Sequence, residues 1–205
     1  GAPSGYGESE DVVCIFTLPE AVVGSRTIPT SGGGWDWGYL RNINFYLAHS
    51  HRCPDTAIRE RYDGIARFFR AYFYFEKVKR FGDVSWHEKA MASDDTDLTK
   101  PRDSRVFVVE KILEDIDYAI AHISDKAELY RVTKWTAMAL KSRICLFEGT
   151  YRKYHGIPGY EALLDQCIAV SEEFITSSPY SIYKGGEKPY RDLFSSMNAI
   201  AQEVI

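Results

Sequence analysis

Along this chain, apolar residues recur three and four positions apart, and no stretch alternates with period two. From Trp37 the pattern is helical: Leu40, Ile43, Asn44 and Leu47 share one face, and Pro54 ends the run by pushing Cys53 out of the helical region. This predicts a first helix over residues 37–51. Asp55 is placed to cap a second, because its carboxylate can accept the free amides of the next turn. Ile58, Tyr62, Ile65, Phe69 and Tyr72 continue one face of that helix, with Phe68 and Phe75 alongside, until Gly82 supplies a left-handed stop. On this pattern Phe69 is a core residue. The aromatics of RFFRAYFYFEKVKRFGDVSW (67–86) fall on more than one side of the helix, as an inner helix with two neighbours requires.

The pattern lapses over 83–103 into an acidic loop, SDDTDLTKPRDS, after which Asp103 or Ser104 can cap a third helix. Val109, Ile112, Leu113, Ile116, Ile120 and Ile123 form its unbroken stripe. Thr133 opens a fourth helix carrying Trp135, Met138, Leu140, Ile144 and Phe147, stopped at Gly149 or later at Gly156. Tyr160, Leu163, Leu164, Cys167, Ser171, Phe174 and Ile175 mark a fifth, ended by Ser-Ser-Pro. The tail from 179 reads as a turn, a short helical turn and the start of a strand. Small residues (Gly64, Ala66, Ala71, Ala137, Ala139 and Ala169) recur between large ones, as close contact between helices demands. The fold expected is therefore all-α, a tetratricopeptide-like array of antiparallel helical hairpins without a strict repeat. Its organisation is an irregular lead-in with a Gly-rich loop over 1–35, the array over 36–178, and the beginning of a loop-rich second portion over 179–205.

Composition narrows the chemistry. The formal charge of −4 offers no basic field for nucleic acid. Cys14, Cys53, Cys145 and Cys167 are too scattered for a zinc ribbon or a redox pair and read as small core residues. No run reaches the roughly 18 apolar residues of a membrane span, and GAPSGYGESED lacks the regions of a signal peptide. Cys14 follows Asp-Val-Val with no apolar run before it, a poor site for lipid attachment.

Catalytic motifs do not match: G-x-S-x-G, the Walker loop and G-x-G-x-x-G are missing, and HEKAM (87–91) has Met91 where a zinc protease needs its second histidine. In HSHRC (49–53) only His49 and Cys53 share a helical face, so a polar helix end is expected there, not a metal site. Asp94, Asp95 and Asp97 lack the Gly and distal Glu of a calcium loop and read as solvated. Glu114 with Asp115, and Glu172 with Glu173, read as solvated helix surface. No cofactor is expected.

GGGWDWGY (32–39) is different, because aromatics on a glycine-rich loop lie outside the periodic core. Indole faces stack on the apolar CH faces of sugar rings, and a carboxylate accepts from hydroxyls, so Trp35, Asp36 and Trp37 are the candidate glycan-binding residues. The competing reading packs one tryptophan as the first apolar residue of helix one.

Three stretches in order carry a resemblance: YDGIARFFRAYFYFEKVKRFGDVSW (62–86), PRDSRVFVVEKILEDIDYAIAHI (101–123) and RVTKWTAMALKSRICLFEGTYRKYHG (131–156). They look like the core of the SusD/RagB family, with its Ala-Arg-Phe-x-Arg-Ala-x-x-Tyr-Phe helix at Ala66–Phe75, its Phe-Gly-Asp-Val turn at Phe81–Val84, its Pro-Arg-x-Ser start at Pro101–Ser104, and Val-Thr-Lys through Glu-Gly-Thr at Val132–Thr150. The resemblance covers residues 36–205. It implies a non-enzymatic outer-membrane lipoprotein of the bacterial cell surface that binds oligosaccharides and passes them to a TonB-dependent SusC-like transporter. It also implies that the chain holds the helical portion, without the family's anchoring cysteine and ending near the first strand of a second portion. The alternative from another class is a helical-repeat scaffold for protein partners with no small ligand of its own. A helical glycosidase is the weakest reading, for want of a paired carboxylate signal.

Overall fold

The computed structural model describes residues 32–126 and 130–195, together with 24, 25, 27 and 30. The chain divides into two units between Trp37 and Gly38. The second unit is built of helices: α1 (Gly38–His49), α2 (Thr56–Phe81), α3 (Arg105–His122), α4 (Lys134–Tyr154), α5 (Tyr160–Ser177) and the short α6 (Pro189–Ser195). Among the described residues there is no strand, only an isolated antiparallel bridge between Val84 and Asp103. The all-α expectation holds. The strand expected at the end of the tail lies outside the described residues, as does Cys14.

Helix ends follow local chemistry. The Asp55 carboxylate accepts the Ile58 amide at 3.0 Å, and Gly82 closes α2 at φ 71°. Of the two caps possible for α3, Ser104 is used, accepting from the Phe107 amide. Asp103 accepts the Trp86 amide instead, at 2.7 Å. Thr133 and Thr136 cap α4 reciprocally. Gly149 does not stop that helix: it sits inside α4, where a Cβ would stand 2.8 Å from Leu164 Cδ2, so its missing side chain admits α5. Gly156, just beyond, takes the left-handed turn at φ 65°.

Contacts fix the array. Gly64 meets Ile123, Arg70 meets Asp115 and Val78 meets Arg105, so α2 and α3 run antiparallel. Gly149 against Leu164 and Ser142 bonded to Ser171 set α5 antiparallel to α4 in the same way. The two hairpins stack through α3 and α4, where Arg105 reaches Glu148 and Lys141 reaches Asp117. Trp135, Met138 and Val170, flanked by Phe174 and Tyr180, form a cluster at the base of α4 and α5.

The inward face of α2 corrects the sequence reading. Gly64, Phe68, Ala71, Tyr74, Phe75 and Val78 are buried, whereas Ile58, Tyr62, Phe69 and Tyr72 are exposed, Phe69 by 46%. Two apolar stripes run side by side along this helix, and the one bearing small residues packs. A Cβ on Gly64 would already lie 3.1 Å from Ile123 Cγ1, so α3 sits where Gly64 and Ala71 leave room.

Two buried ionic nodes pin the helices. Arg70 donates to both Asp115 oxygens, at 2.6 and 2.8 Å, and to Asn44 Oδ1 at 3.1 Å, tying α1, α2 and α3. Asp115, expected on solvated surface beside Glu114, is 2% exposed. Burial raises its carboxyl above the usual carboxylate range, and Arg70 and Arg67 pull the other way. Glu148 forms the second node, accepting Arg105 Nε at 2.7 Å and Arg152 Nε at 2.9 Å. The Arg105 guanidinium also lies 3.6 Å from the Tyr151 ring centroid.

Candidate functional site

The loop before α1 is shaped by its glycines. Gly32, Gly33 and Gly34 all have left-handed φ, 72°, 60° and 81°, which side-chain-bearing residues adopt at a cost. The Trp35 amide donates to the Gly32 carbonyl at 3.0 Å and closes the turn. Trp35 then lies edge-to-face on Trp37, ring centroids 5.0 Å apart and planes at 78°. Trp35 is 39% exposed, Asp36 is exposed and Trp37 is half-buried. Because α1 begins at Gly38 and its first buried residue is Leu40, both indoles precede the helix. The structure thus brings Trp35, Asp36 and Trp37 together on one turn. Two indoles at right angles do not make one flat platform. They make a corner, in which a ring lying flat on one indole is bordered by the other.

The helical unit carries a second feature that hydrophobic patterning leaves invisible. The segment 83–103, read as a solvated acidic loop, folds back on itself and encloses a cleft of about 420 Å³ lined by residues 86–89 with Asp97, Lys100, Asp103 and Phe107. That volume lies within the range of about 300 to 1,000 Å³ typical of small-molecule sites. Its walls are tied down. Asn44 Nδ2 donates to the His87 and Lys89 carbonyls at 2.8 and 3.3 Å, the Tyr74 hydroxyl accepts the His87 amide at 2.7 Å, and the Trp86 indole N–H donates to Glu88. Lys100 reaches Asp103 at 2.9 Å, and Lys89 spans Asp95 and Asp97 at 3.3 Å each. The basic residues interleaved with the acids are the one sequence signal for this folding back, since they let the acidic segment neutralise itself.

Two groups here titrate to the same side. Burial, and then the nearby Lys100, lower the His87 pKa. For Asp103 burial works to raise it, but the donated Trp86 amide and Lys100 outweigh that and leave the carboxyl below the usual range. With both folded values below the unfolded ones, the opened loop binds more protons, so stability present at neutral pH is lost on acidification. The loop is expected to loosen first as pH falls below the ordinary histidine value, 6.5, and again below the ordinary aspartate value, 3.8. Hydrogen exchange at the Trp86 and His87 amides checks this: protection factors should fall between pH 7 and pH 5, and equal protection at both would contradict it.

The residues weighed for metal are engaged elsewhere. His49 Nδ1 lies 2.7 Å from the Phe45 carbonyl with its ring on Phe45, Cys53 contacts the Asp55 carbonyl, and Asp95 and Asp97 hold Lys89. Among the described residues no helix is long and apolar enough to cross a membrane.

Residues 40–146 match a SusD-like family described as starch-binding associating with outer membrane. The chain is 26% identical over 161 residues to the SusD-like protein P38 of Formosa agariphila, covering 78% of this chain and 29% of that protein. Among solved structures, a SusD-like protein of Bacteroides fragilis is 26% identical with a TM-score of 0.62, over 75% of this chain and 28% of the other. A structure solved with xylogluco-oligosaccharide shares the fold at 20% identity and a TM-score of 0.69, over 92% of this chain and 37% of the other. The chain therefore spans less than a third of the length of the curated relative. With more than half of its residues inside the family's matched region and the same helical array in the solved relatives, the chain belongs to the SusD-like family.

Proposed function

We propose that this protein is a non-catalytic glycan-binding subunit at the outer membrane, which captures oligosaccharides and passes them to a TonB-dependent SusC-like transporter. The observation that carries the binding reading is the indole corner of Trp35 and Trp37 on three left-handed glycines, with exposed Asp36 between them. A sugar ring offers an apolar CH face to an indole and hydroxyls to a carboxylate, and such a corner accepts both without any bond being made or broken. Membership of a family described as starch-binding supports the ligand class, and the xylogluco-oligosaccharide in a relative of the same fold is consistent with it. Delivery to a transporter and location at the cell surface come with the same family reading.

Binding by stacking predicts a separation between affinity and stability. Trp35→Ala and Trp37→Ala should each weaken oligosaccharide binding about tenfold or more, the loss of one stacked aromatic contact, and leave the melting temperature within about 2 °C of the parent. Calorimetric titration with xyloglucan, laminarin and starch oligosaccharides, beside thermal melts, reads both quantities. A variant that melts early and still binds would assign that indole to packing.

A further inference from the structure

The cleft at residues 86–107 has neither Trp35 nor Trp37 in its lining, and that lining is chemically specific. Three carboxylates (Glu88, Asp97 and Asp103) and two ammonium groups (Lys89 and Lys100) face it, three negative charges against two positive. Acceptors are in surplus, which suits a ligand rich in hydroxyl donors and disfavours an anion. Phe107, 38% exposed on the first turn of α3, adds an apolar face of the kind that stacks on ring CH groups. The buried Trp86 and the carbonyls clamped by Asn44 hold the loop in place before any ligand arrives, which lowers the ordering cost of binding.

We infer that this cleft is a second carbohydrate site, one that takes a short neutral saccharide between the 86–89 and 97–103 walls with a ring against Phe107. The exposed edges of Glu88 and Asp97 accept its hydroxyls, and Lys89 and Lys100, oriented by their carboxylate partners, donate to ring and hydroxyl oxygens. The ligand class agrees with the glycan reading above, but the site uses neither Trp35 nor Trp37.

The test is a nuclear magnetic resonance titration of the protein with cellobiose, laminaribiose and maltose, with glucuronic acid and glucosamine as charged comparators. At least one neutral disaccharide should shift the Trp86 indole N–H and the Phe107 ring signals saturably. Phe107→Ala and, on the exposed loop, Asp97→Asn should each weaken that binding about tenfold. The same shifts should persist in the Trp35→Ala/Trp37→Ala variant, which separates failure of this site from failure of the indole corner. No saturable shift with any neutral disaccharide, tighter binding of either charged sugar, or unchanged affinity in both cleft variants would overturn the inference.

Discussion

Glu148→Ala is expected to cost about 3–5 kcal/mol, the usual price of leaving buried charge uncompensated. Glu148 is 1% exposed and is the carboxylate shared by two arginines, Arg105 at 8% and Arg152 at 7% exposure. Removing it strands two guanidinium groups at the junction of α3 and α4. In a chain of this size the melting temperature should fall by roughly 10 °C. Glu148→Gln should lie between, because an amide oxygen can accept one of the two Nε–H donors but carries no charge. The reverse change also informs: if Glu148→Ala melts within about 2 °C of the parent, the node contributes little and the hairpins stack on apolar contacts alone.

The second large effect discriminates between adjacent residues. Phe68→Ala should destabilise by about 3–5 kcal/mol as the truncation of a buried aromatic, while Phe69→Ala should stay within about 1 kcal/mol. Phe68 is 7% exposed against 46% for Phe69, so only the first leaves a cavity between α2 and its neighbours. Urea unfolding of both variants checks the order. A larger loss at Phe69 would mean that α2 turns its other stripe inward.

That pair also shows what a periodicity argument resolves. Helix positions and ends were legible, because Asp55, Gly82, Ser104 and Thr133 carry capping chemistry that acts within one turn. The inward face of α2 was not legible from apolar spacing alone, since Ile58-Tyr62-Ile65-Phe69-Tyr72 and Gly64-Phe68-Ala71-Phe75-Val78 both recur every three to four residues. Interhelical distance decides between them, and the sequence records it in the small residues Gly64 and Ala71. Gly149 is a related case: a glycine near an expected helix end reads as a stop until the partner helix shows Leu164 filling the space above it.

Charged residues show the opposite difficulty. Asp115 looks like a solvated helix position beside Glu114, and only the placement of Arg70 and Arg105 across helix boundaries, with Arg152 one turn along α4, reveals the buried nodes at Asp115 and Glu148. The cleft is harder still, since it depends on how residues 83–103 fold between two helices, and loop folding has no period. The turn bearing Trp35 and Trp37 was legible only in part: the glycines before it mark a loop, but Trp37 also opened the helical run expected over 37–51, and the pattern carries nothing of the edge-to-face contact between the indoles.

Glycan capture is the centre of this account, and calorimetric titration of the protein against a panel of polysaccharides and their oligosaccharides tests it most directly. Saturable binding to at least one neutral glycan, weakened about tenfold or more in the Trp35→Ala/Trp37→Ala variant with the melting temperature preserved and any residual binding confined to the cleft lined by Phe107, is the predicted result. Silence across the whole panel, or full affinity in that double variant, would contradict it.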